Sequence, residues 1–82
     1  MAIKDQERRD LIAGELRAHR AKANLSQAQV AKAVDMEKSA IGRYEQGAVE
    51  LGIETAWDMA NLYGVSLDEM VGREHAPTKA RA

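Results

Sequence analysis

The chain has 82 residues, a mass of 9.0 kDa, 45% apolar and 30% charged residues, one proline, six glycines and no cysteine. Against a usual span of roughly 100–200 residues per domain, that length allows one compact unit, and the composition excludes collagen-like and low-complexity chains. Zero cysteines exclude a disulfide framework, a thiolate metal site and a thiol nucleophile, and the two histidines, His19 and His75, lie far apart in sequence, so neither metal nor cofactor is expected.

No apolar run exceeds about four residues, against roughly 20 needed to cross a bilayer. Residues 1–10 carry charges and amides where a signal peptide would carry an apolar stretch, so no membrane association and a cytoplasmic location are expected. A chain this short has little surface left for a deep substrate pocket once its own core is closed, which favours a binding module over an enzyme. The carboxylates at Glu45, Glu50, Glu54 and Asp58 have no spacing that sets a nucleophile beside a base and an orienting group. The net charge of −1 hides an asymmetry: residues 16–43 hold six basic and two acidic groups, whereas residues 44–72 hold six acidic groups and no basic one. Such a chain can turn one side toward an anion and keep the other away from it.

In chain order, Leu11, Ile12, Leu16 and His19 recur at helical spacing in a stretch rich in Ala, Glu, Arg and Lys. The pattern predicts a first helix from Asp5 to Ala23, ended by Asn24. Ser26 and Gln29 form a Ser-x-x-Gln capping box before Val30, Ala31 and Val34, which predicts a second helix of about eight residues. Ala40, Ile41 and Tyr44 predict a third from Glu37 to Gln46, stopped by Gly47. Ile53, Ala56, Trp57, Met59, Ala60, Leu62 and Tyr63 line a fourth, with Gly64 at its end. Ser66 and Glu69 form a second capping box opening a fifth helix with Leu67, Met70 and Val71. The expected architecture is all-α, with five short helices in a domain over residues 1–72 and a flexible tail over residues 73–82 containing Pro77.

The second and third helices are joined by so short a connection that they must cross steeply to share a core, which makes a helix-turn-helix. That motif suits DNA because one helix lies across the phosphates while the next fits a major groove about 12 Å wide. With Ala40, Ile41 and Tyr44 facing inward, the third helix is left with Glu37, Lys38, Ser39, Gly42 and Arg43 for the groove. Lys38 and Arg43 can donate to guanine O6 and N7, Ser39 can bond either kind of partner, and Gly42 keeps the face thin. Glu37 could accept from cytosine N4, or it could simply favour the helix start. At the head of the second helix, backbone N–H groups near Ser26 and Gln27 suit a phosphate, and the Gln27 amide suits a phosphate or an adenine. Arg17, in the same basic segment, is a further phosphate candidate.

The run Leu16-Arg17 to Arg20, then Leu25-Ser26-Gln27, Val30-Ala31, Ile41, Tyr44-Glu45, Gly47 and Tyr63-Gly64-Val65-Ser66-Leu67-Asp68-Glu69 resembles the Cro/CI-type (XRE-family) helix-turn-helix of phage repressors and bacterial regulators. The resemblance covers residues 11–72 and implies a lambda-repressor-like five-helix domain that binds double-stranded operator DNA, often as a dimer. It implies further that Gln27, Lys38, Ser39 and Arg43 face bases, that Ser26 and Gln46 approach phosphates, and that Arg20 and Glu45 form an internal ion pair.

Three positions depart from that pattern. Asp35 stands where such chains carry the turn glycine, at a site that commonly needs a positive φ. The loop Ala48-Val49-Glu50-Leu51 replaces a basic, proline-containing stretch that grips the backbone. His19 stands at an apolar position and is read as a histidine at the core edge, with pH sensing the alternative. A homodimer is expected through the fifth helix and part of the fourth, where Leu67, Met70 and Val71 could pair across an axis or belong to the monomer core. The alternative function is a protein-interaction module, similar to antitoxins of this family, presenting Val49, Leu51, Trp57 or Met70 to a protein partner.

Overall fold

The computed structural model describes residues 5–73; the tail expected from residue 73 onward, and His75 with it, falls outside that range except for Arg73. Five α-helices follow one another: α1 Asp5–Ala23, α2 Gln27–Ala33, α3 Lys38–Glu45, α4 Ile53–Tyr63 and α5 Leu67–Val71. No strand occurs among the described residues.

Each helix starts and stops for a local reason. Helix α1 carries Asp5 and Glu7 in its first turn and Arg20 and Lys22 in its last, matching the positive and negative ends of the helix dipole. Both capping boxes form: the Ser26 hydroxyl accepts from the Gln29 N–H while Gln29 Oε1 accepts from the Ser26 N–H, and Ser66 and Glu69 repeat the exchange. Four helices then end in the same way. After α1, Asn24 takes a φ of 59° and the Leu25 N–H donates to the Arg20 carbonyl at 3.2 Å. After α2, Asp35 takes 57° and the Met36 N–H donates to Ala31 at 2.8 Å. Gly47 after α3 and Gly64 after α4 make the corresponding wrap, with Ala48 donating to Arg43 and Val65 to Ala60. In each, one left-handed residue turns the chain and lets a following N–H satisfy a carbonyl of the last helical turn. Asp35 thus adopts the positive φ of a turn glycine.

The packing of α2 against α3 that follows brings Val30, Ala31 and Ile41 into one core with Leu16, Ala56, Met59, Ala60 and Met70. Leu16, Val30, Ile41, Met59 and Met70 are fully buried, and each contributes about 1.5–3 kcal/mol by leaving water. Helix α3 is seated on α1 at Gly47, where an added Cβ would stand 2.7 Å from Asp10 Oδ1. There Gln6 Nε2 donates both to Asp10 Oδ1 at 2.9 Å and to the Gly47 carbonyl at 3.1 Å. His19 closes the other end: its Nε2 lies 3.0 Å from the Glu69 carbonyl, which can only accept, and its ring stacks on Tyr63 at 6.1 Å. Glu15 Oε1 lies 3.7 Å from the same nitrogen.

Three apolar side chains read from periodicity as lining helices face outward. Leu11 is 60% exposed, Ile53 70% and Trp57 61%. On α4 the buried set is Ala56, Met59 and Ala60, while Ile53 and Trp57, one turn apart, lie on a flank that none of the other described helices covers. Met70 belongs to the monomer core, which removes it from any surface offered to a partner.

Candidate nucleic-acid interface

At 100° per residue, Lys38, Gly42, Ser39 and Arg43 of α3 and Gln46, which caps its end, fall within an arc of about 140°, while the buried Ile41 and Glu45 lie beyond the Lys38 edge of that arc. Together with Gln27 from α2 these five residues line one shallow depression. Lys38, Ser39 and Arg43 are exposed, and none of their side chains makes a hydrogen bond or ion pair with another described residue. Two uncommitted cations, a hydroxyl and two amides therefore converge on one side of the domain. Glu37 stands outside this set: it is the residue preceding α3, exposed, and its carboxylate does not cap the helix.

Behind the depression sits Glu45, 2% exposed at the end of α3. Arg20 Nε donates to Glu45 Oε2 at 2.7 Å and Arg20 Nη2 to Oε1 at 3.0 Å, a two-pronged ion pair between α1 and α3. Arg20 Nη1 donates to the Leu25 carbonyl at 2.9 Å, so all three nitrogens of the guanidinium are engaged. The hydrogen bond to Glu45 holds the Arg20 group above its ordinary pKa, against the opposing effect of burial. Arg17 Nη1 donates to the backbone carbonyl of Glu45, adding a second tie from α1 to the end of α3. Nearby, burial pushes the Tyr63 phenol up to about 12, with the Glu45 charge adding to the rise and Arg20 opposing it. The Tyr63 hydroxyl is buried without a hydrogen-bond partner among the described residues.

Several expected site residues thus do two things. Gln27 Nε2 donates to Glu45 Oε1 at 3.1 Å while Gln27 still lines the depression, a link that sequence reading missed. Arg17 is exposed yet committed in part to Glu45. The Ser26 N–H is taken by Gln29 Oε1, so it is not open to a phosphate; the Ser26 hydroxyl accepts from Gln29 but keeps its own hydrogen to donate. The loop at Val49, Glu50 and Leu51 carries a carboxylate and no cation. Among the described residues there is no cluster of three or more His, Asp or Glu able to hold a metal, and no helix long and apolar enough to cross a membrane.

The arrangement of α2, its turn and α3 over a shared core defines an all-α helix-turn-helix domain. Residues 16–70 match the HTH_3 helix-turn-helix family, and the chain belongs to that family. Its fold is similar to that of an HTH_3 family transcriptional regulator from Vibrio cholerae, with a TM-score of 0.77 at 24% sequence identity. That match covers 87% of this chain and 40% of the other, so the likeness concerns the fold of a domain within a longer protein. No curated protein matches the chain in sequence.

Proposed function

We propose that the chain is a sequence-specific double-stranded DNA-binding transcription regulator, acting as a repressor, with α3 in the major groove. One observation carries this reading: Lys38, Ser39, Gly42, Arg43, Gln46 and Gln27 share a single open surface, and its two cations have no partner among the described residues. Lys38 and Arg43 donate to guanine edges, and Ser39 and Gln27 reach neighbouring base edges. Ser26, Gln46 and the free nitrogens of Arg17 hold phosphates and set the register. The Vibrio cholerae neighbour, described as a transcriptional regulator, supports the same reading. The chemistry is recognition, without catalysis.

One α3 covers few base pairs, so the regulator acts as a homodimer on a pseudo-palindromic site. The surface for the second copy is the groove lined by Ile12, Leu51, Ile53, Ala56, Leu67 and Val71 together with the charged Asp68 and Arg73, which runs through Ile53 to Trp57. It joins α5 to the uncovered flank of α4, away from Lys38 and Arg43. Sedimentation of the wild type should give a dimer on operator DNA, and Trp57→Glu a monomer with weakened binding; a 9.0 kDa species at micromolar concentration, with and without DNA, would exclude the dimer.

Selection of bound fragments from random duplexes tests the main reading. A defined motif should emerge, with Lys38→Ala and Arg43→Ala each losing about 1–3 kcal/mol and relaxing one base-pair position. Ser26→Ala and Gln46→Ala should weaken all sequences alike and, since both side chains are neutral, leave the slope of the salt dependence unchanged. Failure of any sequence to outcompete bulk DNA at near-physiological salt would sink the proposal.

A further inference from the structure

Glu45 does more than pair with Arg20. Its Oε1 accepts from Arg20 Nη2 and also from Gln27 Nε2, at 3.0 and 3.1 Å. A carboxylate pinned by a guanidinium is ionised and can only accept, so the nitrogen end of the Gln27 amide is the end that must face it. Arg20 is held at Leu25 as well and cannot swing to relieve that demand. Gly42 borders the amide without crowding it: even an added Cβ would stand 3.8 Å from Gln27 Oε1 and 4.0 Å from Nε2, in ordinary contact.

We infer that Glu45 is a positioning residue for base readout: by taking one amide hydrogen of Gln27 it decides which atoms of that amide the duplex meets. This rests on the proposed DNA-binding function. With one hydrogen held inside, Gln27 presents an acceptor, Oε1, and one remaining N–H. That pair complements adenine, which offers N6–H and N7 in the major groove, and mismatches guanine, which offers two acceptors there. The buried ion pair therefore sets a base preference at a position it never touches, through the polarity of one amide.

Replacing the pair by apolar side chains, Arg20→Met with Glu45→Leu, separates this role from simple scaffolding, because it removes the acceptor and strands no charge. Either end of the Gln27 amide can then face the duplex. Sequences selected from random duplexes by wild type should show one position where adenine is preferred about tenfold or more, which Gln27→Ala erases. The double variant should lose that preference, with the other positions unchanged, and adding Gln27→Ala to it should change nothing further. Replacing that adenine with 7-deazaadenine, which lacks the N7 acceptor, should weaken the wild type and leave Gln27→Ala unaffected.

A wild type that selects no motif refutes the DNA-binding reading itself. A motif in which Gln27→Ala changes no single position, or in which the folded Arg20→Met, Glu45→Leu variant keeps the wild-type preference, overturns the inference while that reading stands. Should that variant not fold, the wild type decides through the nuclear magnetic resonance signals of the Gln27 side chain: one amide hydrogen should exchange slowly with solvent. Two equally fast hydrogens would overturn the positioning role.

Discussion

Arg20→Met keeps most of the aliphatic stem and removes the charge, leaving Glu45, 2% exposed, with Gln27 as its remaining side-chain donor among the described residues. The Leu25 carbonyl loses its guanidinium donor as well. Stranding a buried charge in this way costs about 3–5 kcal/mol. A chain of 82 residues at roughly 0.05–0.15 kcal/mol per residue has about 4–12 kcal/mol in total, so the variant should sit close to unfolding. Urea titration followed by far-ultraviolet circular dichroism at low temperature measures the loss. Adding Glu45→Gln removes the stranded charge, so the double variant should be more stable than Arg20→Met alone by about 1–3 kcal/mol. A loss under about 1 kcal/mol for Arg20→Met, or strict additivity of the two changes, would refute the view that this pair holds α1 to α3.

Tyr63→Phe removes a buried hydroxyl that has no partner among the described residues, so stability should stay level or rise by up to about 1–2 kcal/mol in thermal melts. The same substitution should change the alkaline limb. The folded state raises the Tyr63 pKa from 10.0 to about 12, so the stabilisation is complete below pH 10 and is lost as pH climbs toward 12; the phenylalanine variant should lack that decline. Asp35→Gly relieves a left-handed backbone and should raise the melting temperature by about 2–8 °C, where a decrease would show that Asp35 earns its place by side-chain contacts. Gly47→Ala meets both a φ of 72° and Asp10 Oδ1 at 2.7 Å, so it should destabilise by at least about 1–2 kcal/mol, read by the same melts.

The helix order and most helix ends were legible because they rest on local chemistry. Asn24, Gly47 and Gly64 stop helices, and Ser26 with Gln29 or Ser66 with Glu69 starts them, through bonds within a few residues. Periodicity was a poorer guide to exposure: it groups Ile53 and Trp57 with Ala56 and Met59 as apolar, but only the packing of neighbouring helices decides which flank is covered. At the candidate interface, Lys38, Ser39 and Arg43 could be picked out because a short helix with an apolar face leaves the other face to polar side chains. The double engagement of Gln27 and the Arg17 tie to the Glu45 carbonyl could not, since each joins residues 18 and 28 apart whose meeting depends on how α1, α2 and α3 cross.

The bare outer face of α3 also bears on how such a domain can change over evolutionary time. Lys38, Ser39 and Arg43 bond to no other described residue, so exchanging them should shift stability by no more than about 0.5 kcal/mol either way. The scaffold behaves as a socket and these three side chains as a removable bit, so under the proposed DNA-binding role a lineage could be retargeted to new operators by a few codon changes without having to refold first.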